Sequence, residues 1–409
     1  MLPSDWSIET LRSLATIERG RFSVRPRNDP RYFGGDIPFV QTGDVANSGR
    51  FLTCHSQTLN DLGLAVSKVF PTNTILMTIA ANIGATALTT YPVACPDSVV
   101  GIISRPDRSD PGWLKYALEA IQPELDRMAG QNAQKNINLQ VLEPLQIKVP
   151  PKREQQRISE VLSTWDEAIS AAERLLTNSA RQKQALIRKL FVHARHSGAS
   201  HATWAFVDLD AVFDRVTRKN TAHNNAVLTI SGEQGLVSQR DYFSKSVASN
   251  NLSGYTLLHY GEFAYNKSYS AGYPMGAIKP LTRYEAGVVS SLYICFRFRD
   301  GVEADPDFFR HYFEAGMLNE GISGIAQEGA RNHGLLNVGV GDFFKLRLHI
   351  PDVDEQRRIA AVINMAEQKE HLIGKEIDIL REEKRALMQQ LLTGKRRVRL
   401  PQPEEAEPA

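Results

Sequence analysis

The sequence predicts a mixed α+β protein with a pseudo-two-fold internal repeat. Two globular α/β domains are separated by two long helices that pack antiparallel as a coiled coil. The first observation behind this is a duplication. Val149–Phe191 and Ile350–Leu392 align without a gap at a constant offset of 201 residues, from Val149 to Ile350. Pro150 faces Pro351, Glu154-Gln155 faces Glu355-Gln356, and Arg157-Ile158 faces Arg358-Ile359. Repeats of solenoids run about 20–50 residues, so a period this long is a duplicated half-protein. The second observation is sustained four-three spacing of apolar residues within both copies, the signature of a coiled-coil seam. The third is a set of short apolar runs bounded by turn residues, which read as strands, in the stretches before each copy.

Taken in order, residues 1–150 form the first domain. Its strands are expected at Ile37–Val40, Thr74–Ile79, Val99–Ile103 and Gln146–Val149, with a short helix over Trp113–Ala120. Residues 151–197 form the first long helix, with seam positions Ile158, Leu162, Trp165, Ile169, Ala172, Leu176, Ser179, Lys183, Leu186 and Leu190. Residues 198–350 form the second domain, with strands at Val227–Ile230, Glu262–Tyr265, Leu292–Phe298 and Lys345–Ile350 and a helix over Phe308–Ala315. Residues 351–394 form the second long helix, with seam positions Ile359, Ile363, Ala366, Glu370, Ile373, Ile377, Leu380, Lys384, Leu387 and Leu391. Prolines and acids open both helices, as the first turn and the dipole favour, and Gly198 and Gly394 follow their ends. Lys183 and Lys384 interrupt the seams at the same register. Either they fix register, or their stems lie along the seam and the ammonium groups reach outward. Residues 395–409, basic and then acidic and proline-rich, read as a disordered tail.

Fragments of likeness extend into the domains at a drifting offset. Trp6 and Leu11 match Trp204 and Leu209, Ile83-Gly84-Ala85 match Met275-Gly276-Ala277, and Glu119-Ala120 match Glu314-Ala315. Framework positions agree while loops diverge, as in one scaffold carrying two specificities, although neutral drift gives the same pattern.

With 409 residues there is room for two to four domains, and the net charge of +2 argues neither for nor against nucleic acid, because a footprint is local. Three scattered cysteines without a CxxC pair predict reduced thiols in the cytoplasm. The opening segment lacks the basic and apolar regions of a signal peptide, and no run approaches the roughly 20 apolar residues of a membrane span. A soluble cytoplasmic protein is expected, with no membrane partner.

Catalytic signatures are missing. There is no phosphate loop, HExxH, GxSxG or methyltransferase Asn/Asp-Pro-Pro-Tyr motif. The acids of Pro351–Glu355 open a helix, where acids belong, and the histidines lack ligand spacing, His193/His196 included, so no metal site is expected. The chain reads as a binding protein rather than an enzyme.

A partner that is itself nearly two-fold, such as double-stranded DNA, suits a duplicated protein. Phosphate contacts need basic residues on accessible loops. Arg19, Arg21, Arg25 and Arg27, with Arg31 beyond, crowd the first half, and Arg215, Arg218 and Lys219 occupy the corresponding place in the second. A plain solvated loop is the alternative. Base reading needs planar or bidentate groups. Gln41, Thr42 and Asp44 follow a strand as Ser231 and Glu233 do, and Asn82 stands opposite Asn266, Lys267 and Tyr269. Gln134, Lys135, Arg331 and Asn332 precede the last strand of each half. Each of these is also ordinary turn chemistry.

A mixed domain ending in a strand and a proline, a long helix opened by Pro150-Pro151 with Glu154-Gln155-Gln156-Arg157-Ile158, the whole repeated, and a close on Leu391-Leu392-Thr393-Gly394-Lys395 together resemble a specificity subunit of a type I restriction–modification system. Asp352 replaces the second proline in the second copy. The resemblance covers Trp6 to about Arg397. It implies that the two domains are target-recognition domains, each reading one half of a split, asymmetric DNA site, with helix length setting the unread spacer. It also implies that the repeated regions dock two methyltransferase subunits carrying S-adenosylmethionine. Restriction subunits using ATP and Mg would join them, with no cofactor in this chain. Two alternatives stay open: a specificity subunit serving a fused restriction–methylation polypeptide, and a coiled-coil adaptor that reads no nucleic acid.

Overall fold

The computed structural model describes residues 2–129, 136–193, 204–221, 223–232, 234–242, 251–328, 334 and 336–399. The chain divides into two compact units, Met1–Leu175 with Ile373–Ala409, and Leu176–Leu372. Each of the long helices, Lys152–Ile187 and Val353–Leu391, therefore contributes residues to both units. The first continues as a π-helical stretch over Arg188–His193.

In the first unit Ser7–Thr10 pairs antiparallel with Gln146–Val149, Ser7 opposite Val149. The opening of the chain is thus laid against the strand that leads into the first long helix. The central sheet has the order Ala15–Arg19, Val99–Ser104, Thr74–Thr78, Thr86–Leu88. Thr74–Thr78 is buried at every position, so it reads as a continuous apolar run with threonines at its ends. A second sheet joins Gln57–Leu59, Phe33–Phe39, Val93–Ala94 and Val69–Phe70 in that order.

The second unit repeats the framework. Ala205–Asp208 pairs antiparallel with Arg347–Ile350. The central sheet runs Phe213–Arg215, Ile294–Phe298, Phe263–Asn266, Ala277–Pro280, the spatial order of the first unit. Beyond it the units diverge. The second carries separate two-stranded ribbons, Leu228–Ser231 with Gly235–Ser238 and Thr256–His259 with Ala286–Val289. Its core is rich in phenylalanine: Phe213, Phe263 and Phe296 pack ring on ring, with centroids 5.1–5.8 Å apart. Such pairs each add about 0.5–1.5 kcal/mol beyond area burial.

The strands expected from sequence all lie within or overlap observed strands. The expected helices correspond to Pro111–Ala120 and Pro306–Glu314, each opened by an aspartate N-cap and a proline. Asp110 accepts from the backbone N–H of Trp113, and Asp305 from that of Phe308, at 2.8 Å in both cases.

Those helix starts account for the repeated glutamine. Gln155 accepts the backbone N–H of Asp110 at 2.8 Å and donates to the carbonyl of Pro150 at 3.0 Å. Gln356 does the same with Asp305 at 3.0 Å and Pro351 at 2.9 Å. Both side chains are buried. In each unit a glutamine locks the start of a long helix to the start of a short one.

The seam positions line the sheltered side of both long helices. Ile158, Leu162, Ile359, Ile363, Ile373, Ile377 and Leu391 are buried; Trp165, Leu176, Leu186, Leu190, Leu380 and Leu387 are half-buried. The polar interruptions are paired rather than turned outward. Within the second unit Lys183 donates to Glu370 at 2.6 Å. Within the first, Lys384 lies 2.9 Å from both Glu119 and Asp166. There Glu173 also meets Arg381 at 2.6 Å, so contacts descend one helix as they ascend the other, an antiparallel order.

The beginning of the expected disordered tail is engaged. Arg397 pairs with Glu154 at 2.7 Å and with Asp5 at 2.7 Å, and Glu154 also accepts from the indole N–H of Trp6 at 3.1 Å. Val398 packs against the first core. Basic composition suggested solvation; a buried glutamate waiting for a cation reverses it. Residues 400–409 lie outside the described residues.

Candidate nucleic-acid interface

Both units bring the same two loops together. In the first, Ile137 donates to the carbonyl of Ile79 at 2.9 Å and Asn136 bridges to Ala80. The turn carrying Asn82 is thereby tied to the segment before the last strand. In the second, Leu336 donates to the carbonyl of Lys267 at 3.0 Å and Tyr269 to that of Gly334 at 2.7 Å. The loop of Asn266, Lys267 and Tyr269 is thus joined to the matching segment. The strands that end in these loops are central and buried, which fixes where the loops emerge.

Asn82 adopts a left-handed backbone, φ +46°, in a turn where its carbonyl accepts from the Thr78 hydroxyl at 2.6 Å. Its exposed side chain is therefore offered from a fixed backbone. Tyr269 is 63% exposed, on a backbone tethered through its own N–H. Asn266 is half-buried and accepts from the backbone N–H of Ser268 at 3.1 Å.

Gln41 is exposed and donates to Gln57 at 2.5 Å, while Thr42 is half-buried. Asp44 is engaged in holding its own loop. It accepts from the backbone N–H of Gln41 at 2.8 Å and from Ser56 at 3.0 Å. Ser231 is buried and accepts from the backbone N–H of Gln234 at 3.2 Å. Gln134, Lys135, Glu233, Arg331 and Asn332 lie outside the described residues, as do His196 and Gly198.

The basic residues separate into two groups. Arg27 pairs with Asp97 at 2.9 Å, Arg31 with Asp29 at 2.7 Å, and Arg218 grips Glu262 with both terminal nitrogens at 3.1 and 3.2 Å. The Arg31 guanidinium holds Asp29 below the usual carboxylate range. Arg19, Arg21 and Lys219 instead donate to backbone carbonyls, of Asp97, Ser67 and Gly254. Arg25 donates to the carbonyls of Phe22 and Val24. All four are exposed, as is Arg215, and none is paired with a carboxylate among the described residues. These five keep a full positive charge at the surface, the requirement for counterion-releasing phosphate contact.

Sequence reasoning missed Tyr273, Lys279 and Glu314, which meet around the carbonyl of Gly232 behind the Ser231 turn. The signal was a lysine within an otherwise apolar strand, Ala277–Pro280, buried throughout. Among the described residues no group of three His, Cys, Asp or Glu side chains could hold a metal ion, and no helix is long and apolar enough to cross a membrane. The buried Cys95 and Cys295 thiols are pushed up to about 12 by burial, the opposite of an activated nucleophile.

Comparison with known proteins bears on the whole arrangement. Residues 3–178 match the family described as type I restriction modification DNA specificity domain. The chain is 27% identical over 174 residues to the type I restriction enzyme MjaIX specificity subunit of Methanocaldococcus jannaschii, a match covering 41% of this chain and 39% of that protein. It is 24% identical over 191 residues to the HindI specificity subunit of Haemophilus influenzae, covering 45% and 39%. Each match thus spans well under half the length of the curated relative. The fold likeness is longer. The crystal structure of a type I restriction-modification S subunit from M. genitalium superposes with TM-score 0.55 at 16% identity, covering 96% of this chain and 98% of that one. A chain from a structure of type I R-M complex assembly and conformational transition superposes with TM-score 0.59 at 14% identity, covering 97% and 100%.

Proposed function

We propose, for a chain that carries a type I restriction modification DNA specificity domain over residues 3–178, that it is the DNA-recognition subunit of such a system. Each unit reads one half of a bipartite, asymmetric site in double-stranded DNA. One observation carries this reading. The central sheet, the aspartate cap and the glutamine lock recur in both units, while the loops that the framework projects differ in length and chemistry. A repeated frame with unlike loops suits two half-sites of different sequence.

The candidate phosphate contacts are Arg19, Arg21, Arg25, Arg215 and Lys219, those of the basic candidates that are exposed and pair with no carboxylate among the described residues. The candidate base contacts include Gln41, Asn82, Asn266, Lys267 and Tyr269, with those of the undescribed segments. Phosphates position the protein and bases specify the sequence, so the second group carries the discrimination.

The long helices act as an antiparallel coiled coil that sets the spacer. At 1.5 Å per residue, helices of 36 and 39 residues extend about 54 and 58 Å. Linking two modest readers makes the second half-site encounter intramolecular, which turns two weak specificities into one stringent one. The chain performs no chemistry itself. Two methyltransferase subunits bearing S-adenosylmethionine dock on the repeated helices, and restriction subunits using ATP and Mg complete the assembly. A target adenine must leave the stack to be methylated, a task for the enzyme partner on DNA that this subunit locates. A fused restriction–methylation partner would use the same surfaces.

Methylome sequencing of cells expressing this chain with its cognate methyltransferase tests the reading. One methylated motif, split by an unread spacer and asymmetric, is expected. No motif, or a continuous one, would exclude it.

A further inference from the structure

Glu119 and Glu314 are matched framework residues at the ends of matched helices, yet they face different partners. In the first unit Glu119 lies between Lys115 at 2.5 Å and Lys384 at 2.9 Å, on the side of the long helices. In the second unit Glu314 turns to Lys279 and Tyr273. At the position of Lys279 the first unit has Ala87, fully buried in the matching strand.

Lys279 is only 8% exposed, in a strand where an apolar side chain serves elsewhere in the molecule. A buried ammonium is costly unless each of its donors is used. All three donors are used. They reach the carbonyl of Gly232 at 2.7 Å, the Tyr273 hydroxyl oxygen at 2.9 Å, and the Glu314 carboxylate. The Tyr273 hydroxyl lies 2.5 Å from Glu314 and 2.8 Å from the same Gly232 carbonyl. With one proton to give, the phenol is best matched to the carboxylate, which leaves Lys279 as the steady donor to Gly232.

The contact with Gly232 is also steric. A Cβ there would fall 2.7 Å from the Tyr273 ring, so the ring presses directly on the backbone. Gly232 belongs to the turn after Leu228–Ser231, and Tyr273 to the loop that follows Asn266–Tyr269. Two loops at candidate base-reading positions are thus clamped to one another through a buried cation.

We propose that Tyr273 and Lys279, braced by Glu314, are positioning residues that set Ser231 and Gly232 against the Asn266–Tyr269 loop, and so determine which bases the second unit accepts. The proposal rests on the functional reading above and adds which residues outside the contact surface govern one half-site.

The test uses the chain assembled with its cognate methyltransferase, methylating duplexes in which each position of either half-site is varied singly. Tyr273→Phe keeps the ring and removes the hydroxyl; Lys279→Met keeps the stem and removes the charge; Gly232→Ala pushes the turn away from the ring. All three are expected to lower base discrimination about tenfold in the same half-site, the scale of a charged hydrogen bond, with the other half-site unchanged. Equal losses at both half-sites would mark a general loss of structure and overturn the clamp. Unchanged discrimination in all three would overturn it too. A wild-type complex without a two-part motif would instead overturn the functional reading, and the clamp with it.

Discussion

Lys183 and Glu370, the polar residues that interrupt the apolar seams of the two long helices, meet within the second unit at 2.6 Å. Each side chain is 18% exposed. One Glu370 oxygen, Oε1, is buried without a partner among the described residues. A pair this sheltered contributes little net stability, because desolvation offsets attraction, but it penalises misalignment strongly. Lys183→Leu leaves Glu370 uncompensated and is expected to cost about 2–4 kcal/mol in urea unfolding. The double variant Lys183→Leu/Glu370→Leu is expected to recover most of that loss. A double variant as unstable as the single one would show that the pair does not act as a register lock.

The repeated block shows what was legible in the sequence. Four-three spacing located both helices, since seam positions need only their neighbours along one helix to be recognised. Strands such as Gln146–Val149 were legible for the same local reason. The site was less so. Arg218 and Arg215 look alike in sequence, but Glu262, which binds Arg218, lies 44 residues away. Nothing in the sequence around Asp44 shows that it accepts from the backbone N–H of Gln41. The clamp on Gly232 joins residues 41 and 47 positions apart, a pairing that no periodicity encodes.

Gln155 and Gln356 yield a prediction for both halves. Replacing either by leucine leaves a part-buried aspartate N–H and a buried proline carbonyl without that partner. Each orphaned group costs about 1–3 kcal/mol. Thermal unfolding should show losses for both Gln155→Leu and Gln356→Leu, the larger for Gln155→Leu, whose amide also donates to the carbonyl of Arg108 at 3.2 Å. Neither loss should appear in Gln156→Leu, whose side chain is exposed. Equal behaviour of all three would remove the lock from the account.

The first unit carries a pH-sensitive version of the seam contact. Burial tends to raise the Glu119 pKa, but the ammonium groups of Lys115 and Lys384 outweigh it and leave the carboxyl below its ordinary 4.5. For Lys384 burial tends to lower the value, and Glu119 and Asp166 outweigh it, raising it above 10.5. The depressed carboxyl stabilises the fold fully above 4.5 and loses that contribution as pH falls through its folded value. The raised ammonium stabilises fully below 10.5 and loses its contribution as pH rises through its own. The stability gap between the natural protein and Glu119→Gln should therefore be constant near neutrality and narrow below pH 4.5. Urea titrations across that range check it. A gap that does not change with pH would mean that Glu119 contributes through shape alone.

Charge compensation sorts the arginines into those free to meet phosphate and those already committed. Arg21 donates to the carbonyl of Ser67 and Arg215 is exposed, so both retain their charge toward solvent. Arg218 is held by Glu262, itself 7% exposed and also accepting from the backbone N–H of His259 at 2.8 Å. Removing Arg218 strands a buried carboxylate, whereas removing Arg21 or Arg215 strands nothing comparable. In the assembled complex, Arg21→Ala and Arg215→Ala are each expected to reduce the slope of log affinity against log salt by about 1, equally on all DNA sequences, with unfolding unchanged. Arg218→Ala is expected to keep the slope and lose about 2–4 kcal/mol of stability. Salt titrations of DNA binding, beside denaturation of the same proteins, separate these outcomes. An unchanged slope in Arg21→Ala together with a reduced one in Arg218→Ala would reverse the assignment, because counterion release depends on charge delivered to the phosphate and not on charge already neutralised within the fold.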